Sequence, residues 1–384
     1  MKKAMILLLS LMLTFVFVAC NSSDTDQPKP QPNNEISEKE ENIQPVEVEE
    51  VTPEETDQSE ESTEEPTEEP TEETKEEVVL EPEPINYEEV QPNEIGSIMV
   101  VMYHGIMDNP PYHRTAEDFK KDLSYMYENG YRPISIEDYI NNNITVQAGL
   151  TPIVLAFDDG LSSSFSLTKG DDGTLVPKEG TAVYMMEEFY KEHPDFGKAA
   201  TFFINGDDAF GEGDGTYRER LQWLVDNDYS LGNHTATHAH LNTLSADELQ
   251  KEMAIVDEMI SNAVPGYEVR SLAYPFGERP LNAIDLVEEG TYNDYTYTNE
   301  IAFRVGYSAP YVGPNHINYQ PFNHPRVTAS EGYDWDLWYA FNYYEQSPNQ
   351  RYRSDGNPNT IAVPSNQEKN VNMDSLGEKE LIVY

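Results

Sequence analysis

Ile153-Val-Leu-Ala-Phe-Asp-Asp-Gly160 decides the reading of this chain, an apolar run that closes on two adjacent carboxylates and a glycine. The run reads as a buried strand of the kind found in parallel sheets. Two acids side by side at the end of such a strand are costly unless a cation compensates one of them. Asp-Asp-Gly alone often makes a turn, and the second copy, Asp171-Asp172-Gly173, reads as a hairpin tip over residues 169–174. The first copy gains its meaning from His234-Thr-Ala-Thr-His238 far downstream. Asp159 with His234 and His238 makes three ligands for a zinc-like ion, which leaves Asp158 free to act as a base. That is the donor set of a metal-assisted hydrolase.

Outward from this stretch, strand and helix patterns alternate. Residues 98–103 read as another buried strand, and 199–204, 229–232 and 269–274 as further strands. Between them, 115–129 reads as a helix with Thr115 as N-cap, followed by helices over 183–190, 217–226 and 245–263. Ser245-Ala-Asp-Glu248 is a capping-box pattern, so His234 and His238 lie just before a helix on a loop or short turn, with His240 as a bystander. The alternation predicts one α/β domain over 94–345 with a parallel sheet closed as a distorted or incomplete (β/α) barrel. Asp158, Asp159 and Tyr274 then fall at C-terminal strand ends, where such folds gather function. Residues 161–180 exceed a tight connection and read as a hairpin lid over the substrate groove. An extension over 346–384 follows, with a helix over 334–344 before it and a loosely ordered polar stretch over 347–372 within it.

Charge is unevenly spread. Residues 21–90 hold 26 Asp or Glu against three Lys and carry −23 of the formal −47, while the chain from residue 91 onward is still −26. Such a field repels nucleic acid and anionic lipid and favours neutral or cationic partners. Residues 21–93 are Glu, Pro, Thr, Ser and Gln with almost no aromatic side chain, which predicts a disordered tether spanning about 45 Å or more. The first residues, Met1-Lys2-Lys3, precede an apolar run to Ala19 that is typical of an export signal. Phe17-Val-Ala-Cys20 resembles the lipobox of bacterial lipoproteins, which implies cleavage before Cys20 and lipidation of its sulfur. Phe17 departs from the usual Leu there, and plain secretion is the alternative.

Three motifs together resemble the polysaccharide deacetylase family, the NodB-homology carbohydrate esterases. Ala156-Phe-Asp-Asp-Gly160 is similar to its first motif, and His234-Thr-Ala-Thr-His238 with Leu241 and Leu244-Ser245 to its second. Leu272-Ala-Tyr-Pro-Phe-Gly277 is similar to the third. The resemblance implies Asp158 as general base, Asp159, His234 and His238 as ligands of one divalent metal, and an oxyanion pocket at Phe276 and Tyr274. Zinc is the foremost ion, with cobalt or nickel as alternatives. Motif three lacks the family's usual arginine, and the late Leu-x-His that supplies the acid is absent. Val100-Val-Met-Tyr-His104-Gly instead resembles the poly-N-acetylglucosamine deacetylases, which makes His104 the general acid and His324 its rival. Arg326, in Asn323-His-Pro-Arg-Val327, is the candidate that orients the base, ahead of Arg270 and Arg304.

The expected activity is removal of N-acetyl groups from a cell-surface glycan by a protein anchored to the membrane through Cys20. An O-acetyl esterase of the xylan type and a non-catalytic glycan-binding lipoprotein are the alternatives. Aromatic residues Tyr103, Tyr112, Trp223, Tyr274, Tyr295, Tyr297, Trp335 and Trp338 are candidates for stacking on sugar rings.

Overall fold

After one helical turn, α1 (Tyr87–Val90), the chain enters strand β1 (Met99–Tyr103), every residue of which is buried. The computed structural model describes residues 85–108, 112–306, 311–334 and 336–384. The export segment, Cys20, the tether as far as residue 84 and Trp335 lie outside the described residues. Beyond β1 come helix α2 (Ala116–Glu128), strand β2 (Tyr131–Pro133), α3 (Ile136–Ile140) and β3 (Thr151–Phe157). A small antiparallel hairpin, β4 (Leu167–Lys169) and β5 (Leu175–Pro177), leads to α4 (Ala182–Glu192) and β6 (Thr201–Ile204). The pattern continues through α5 (Tyr217–Asp226), β7 (Ser230–Asn233), α6 (Ala246–Ala263) and β8 (Ser271–Ala273). Next stand α7 (Asp285–Glu288), the hairpin β9 (Glu289–Tyr292) and β10 (Tyr295–Thr298), and strands β11 (Ile301–Val305) and β12 (His324–Thr328). Helix α8 (Leu337–Gln346) and a parallel pair, β13 (Thr360–Val363) and β14 (Glu380–Val383), complete the chain.

Seven strands close a parallel ring in the order β1, β3, β6, β7, β8, β11, β12 and back to β1. The expected (β/α) barrel is therefore present with seven staves. Strand β2 lies outside the ring and pairs with Thr151–Ile153 of β3, whereas β6 pairs only with Ala156 and Phe157 at its end. Side chains alternate across the barrel wall as period-two strands require. Val100, Val154, Ala156, Phe203, Ala273 and Phe303 form the inner core, while Met99, Val101, Ile153, Leu155 and Phe157 pack against the helices. Asp158 extends the inward series of β3.

Local chemistry fixes the helices that connect the staves. Thr115, Thr181, Thr216 and Ser245 each accept a backbone N–H of the first turn. Thr216 and Ser245 also complete capping boxes with Glu219 and Glu248, as the Ser245 pattern predicts. Strands β11 and β12 lie outside the elements read from the sequence; β12 is His-Pro-Arg-Val-Thr, with a proline and three polar residues, a composition that argues against a central strand. Its polar side chains point inward because they serve buried partners.

The C-terminal stretch is better ordered than its composition predicts. The Glu94 carboxyl group, just ahead of β1, accepts the Tyr352 hydroxyl (3.1 Å), the Asp355 N–H (3.3 Å) and the Ala362 N–H (2.7 Å). Ile361 and Val363 pack with Ile95. These partners lie more than 250 residues apart in sequence, beyond the reach of local pattern. A cavity of about 720 Å³ lies at the N-terminal ends of β6, β7 and β8, lined by Lys198, Tyr229, Ser230 and Arg270. It is on the barrel face away from the C-terminal strand ends where the carboxylates and histidines collect, so its size does not mark the chemistry.

Candidate metal centre and catalytic site

Where β3 ends, the backbone turns through positive φ at Asp159 (71°) and Gly160 (58°). A non-glycine residue rarely adopts this region, and here it sends two successive carboxylates to different surroundings. Asp158 is only 2% exposed and receives both arms of the Arg326 guanidinium, Nη1 to Oδ1 at 2.6 Å and Nη2 to Oδ2 at 2.7 Å. Arg326 is itself fully buried. Burial alone would push the Asp158 carboxyl up, but the charges of Arg326 and His234 outweigh it and bring the carboxyl to about 2. It is ionised at neutral pH and able to accept a proton.

Asp159 turns toward the histidines. Its Oδ1 lies 3.3 Å from Nε2 of His234 and 3.6 Å from Nε2 of His238. One donor atom from each of the three residues falls within 4.8 Å of the others. His234 Nδ1 is 2.8 Å from the Ala273 carbonyl. Because a carbonyl only accepts, Nδ1 carries the hydrogen, and Nε2 is the nitrogen turned toward Asp159 and free to serve as a ligand once it gives up any proton. Burial favours neutral His234, yet Asp158 and Asp159 outweigh it and raise the imidazole above its ordinary value. Positive charge is thus favoured at His234, while burial and the His234 charge lower the His238 imidazole. Two imidazoles with a carboxylate fit a divalent cation of the zinc type. Asp159, His234 and His238 would hold it.

The histidine pair sits on a bend with positive φ at Thr235 (65°) and His238 (52°), which answers the choice between helical turn and loop in favour of the loop. Asn205 donates to the carbonyls of His234 (2.8 Å) and Thr235 (3.1 Å), and Asn233 accepts the Thr235 N–H (2.8 Å). Glu252 of α6 accepts the N–H and hydroxyl of Thr237 at 2.8 and 2.9 Å. Sequence reasoning passed over these three. The available signal was that Asn205 follows β6 and Asn233 ends β7, at the C-terminal face.

His104 leaves β1 with Nε2 4.0 Å from the other Asp159 oxygen, Oδ2. Its Nδ1 is buried with no hydrogen-bond partner among the described residues. Burial favours its neutral form, while Asp158 and Asp159 oppose that. The rival His324 is not in the site. Its ring lies inside the barrel against Phe303 and Tyr319, with Nε2 2.5 Å from the Tyr139 hydroxyl. Arg270 pairs with Glu300 and Asn141 at the start of β8, and Arg304 donates to the Val305 carbonyl. Neither touches Asp158, so Arg326 alone of the three candidates does.

Phe276 stands after Pro275 in a left-handed backbone, φ 57°, with its ring edge-on to His238 at 4.5 Å. Tyr274 differs from the expectation in its side chain, which is fully buried in the core with its hydroxyl donating to the Phe322 carbonyl, so the ring packs the wall. Tyr112 is exposed with its ring 6.2 Å from His104. Tyr103, Tyr297 and Trp223 serve packing instead. The β4–β5 hairpin docks at the start of α5, where the Lys169 N–H meets Asp214 and Phe165 stacks on Trp223.

The parallel barrel thus sets a buried carboxylate beside a carboxylate–histidine cluster able to hold a cation, an arrangement suited to metal-assisted hydrolysis. Residues 147–294, which hold Asp158, Asp159, His234, His238 and Phe276, match the family model described as polysaccharide deacetylase. The match gathers the carboxylates, the histidines and Phe276 within one stretch that is similar to polysaccharide deacetylases. YxkH of Bacillus subtilis (strain 168) is 19% identical over 197 residues, 50% of this chain and 61% of that protein. The chain therefore spans about three-fifths of the length of that relative. Among solved structures, the Streptococcus pyogenes deacetylase PplD in complex with acetate is 16% identical with a TM-score of 0.46, covering 64% of this chain and 97% of that one. BC0361, a polysaccharide deacetylase from Bacillus cereus, is 20% identical with a TM-score of 0.45, over 64% and 68%.

Proposed function

We propose that this protein is a metal-dependent deacetylase that removes N-acetyl groups from an N-acetylglucosamine-type polysaccharide outside the cytoplasm. One observation carries the reading: the two neighbouring carboxylates have different environments, Asp159 among imidazoles and Asp158 locked by Arg326. When bound, a divalent cation supplies Lewis-acid polarisation of a carbonyl and an acidified water. Asp158 accepts the water proton; Arg326 occupies one direction on each of its oxygens and leaves the remaining lone pairs for that task. The Phe276 amide donates to the oxygen that gains charge as the acetyl carbon becomes tetrahedral. His104, whose neutral form burial favours, must first take up a proton, which it then hands to the departing sugar amine.

The His104 donor favours an N-acetyl over an O-acetyl substrate, because an amine leaves poorly without a proton and an alcohol needs less help. The lysine-led apolar start and Cys20 support a lipid-anchored lipoprotein whose acidic tether carries the domain away from the membrane. Acetate release by zinc-, cobalt- or nickel-loaded protein is to be measured on N-acetylglucosamine oligomers and polymers beside acetylated xylan. Release from the N-acetyl substrates is expected. Faster release from xylan would replace the reading with the esterase, and glycan binding with no acetate from any substrate would replace it with the binding protein.

A further inference from the structure

Phe276 holds a conformation that a bulky side chain seldom adopts, and such a residue persists only where its surroundings over-determine it. No core does so here, since Phe276 is 53% exposed. What contacts its ring is His240, stacked face to face at 4.1 Å and 11°, with His238 at its edge. His240 is in turn held by Glu278, whose Oε2 lies 3.0 Å from Nδ1. The carboxylate only accepts, so Nδ1 carries the hydrogen and the neutral imidazole suffices.

Glu278 belongs to the same turn as Phe276. Its N–H donates to the Pro275 carbonyl (3.1 Å), and the Gly277 N–H donates to that of Tyr274 (2.9 Å). Gly277 is pressed on Val305, where an added Cβ would come within 2.7 Å of the backbone nitrogen. At the other end, the His240 carbonyl accepts the N–H and the hydroxyl of Thr243. The contacts form a loop from turn to Glu278, to His240, to the Phe276 ring and back to the turn. They tie the bend that bears His234 and His238 to the turn that bears the Phe276 amide.

We propose that His240 and Glu278 are positioning residues: they clamp the Phe276 ring and so fix the direction of the Phe276 N–H. The catalytic consequence rests on the deacetylase reading above, in which that N–H serves the oxyanion. A misdirected donor costs rate more than binding, because its partner bears full charge only in the transition state.

The test compares His240→Ala, His240→Phe and Glu278→Ala in metal-loaded protein, with hydrogen exchange at the Gly277 and Glu278 amides read separately from turnover. His240→Ala is expected to lower kcat about tenfold with KM within about twofold, and to speed exchange of the two amides by about tenfold. His240→Phe restores a stacking face and should recover most of both, while Glu278→Ala falls between. His240 is more than half exposed, so unfolding temperature and metal content should stay at wild-type values. Unchanged exchange in His240→Ala overturns the clamp whatever the activity. Faster exchange with unchanged kcat overturns its catalytic role. If wild-type protein releases no acetate from any substrate while exchange still responds, the clamp stands and the deacetylase reading falls.

Discussion

Removing the Arg326 side chain should do more damage than its distance from the ligand cluster suggests. Arg326→Met leaves Asp158, 2% exposed, without its bidentate partner inside the barrel mouth, with only the more distant His234 at 3.9 Å. Breaking a buried ion pair by deleting one partner costs about 3–5 kcal/mol. Part of that cost is escaped by protonating Asp158, at about 1.4 kcal/mol per unit of pKa change. Burial, which the Arg326 and His234 charges now overcome to hold Asp158 at about 2, would then dominate and carry the carboxyl upward. A protonated Asp158 accepts no proton, so kcat/KM at neutral pH should fall by about a hundredfold or more. The acidic limb of the rate profile should move to higher pH. Acetate release from about pH 5 to about pH 9, with thermal unfolding of the same samples, reads both effects. The double variant Asp158→Asn with Arg326→Met removes both charges of the pair and should be more stable than Arg326→Met alone. Wild-type turnover in Arg326→Met with an unshifted acidic limb would refute this reasoning.

Three further outcomes follow from the same structure. Glu94, raised by burial and by Asp355, keeps its proton in the folded state to about pH 8, whereas the unfolded chain releases it near 4.5. The folded state binds more protons across that window, so stability should fall as pH rises through it, by up to about 5 kcal/mol. Thermal unfolding of Glu94→Gln should lack that slope, and an equal slope in both proteins would contradict the assignment. Zinc at about a thousand times its dissociation constant should stabilise wild-type protein by about 4 kcal/mol and leave His234→Ala unmoved, as read by calorimetry. A formal charge of −26 from residue 91 onward should bind partly deacetylated, cationic glucosamine oligomers more weakly as salt rises. Salt-independent affinity would remove electrostatic attraction from the account.

Much of the site was legible because its chemistry sits at strand ends that local pattern can find. The apolar run before Asp158 marks β3, and the Ser245 capping box places the histidine bend before α6. Arg326 was visible only through its motif, since β12 reads as a loop: its histidine and arginine point inward to satisfy Tyr139 and Asp158, and local hydropathy cannot register a partner 168 residues away. Tyr274 misled for the converse reason. Its position at the end of β8 suggested a pocket, while the inner wall it packs against exists only in the folded barrel. Asn205, Asn233 and Glu252 hold backbone of the histidine bend, a role with no signature in composition.

Metal content and acetate release, measured side by side on Asp158→Asn and Asp159→Asn, probe the division of labour between the paired carboxylates most directly. Asp158→Asn should keep one bound metal per chain while losing about a thousandfold or more in turnover, and Asp159→Asn should lose the metal itself. Metal lost from Asp158→Asn and retained in Asp159→Asn would contradict the assignment of base and ligand.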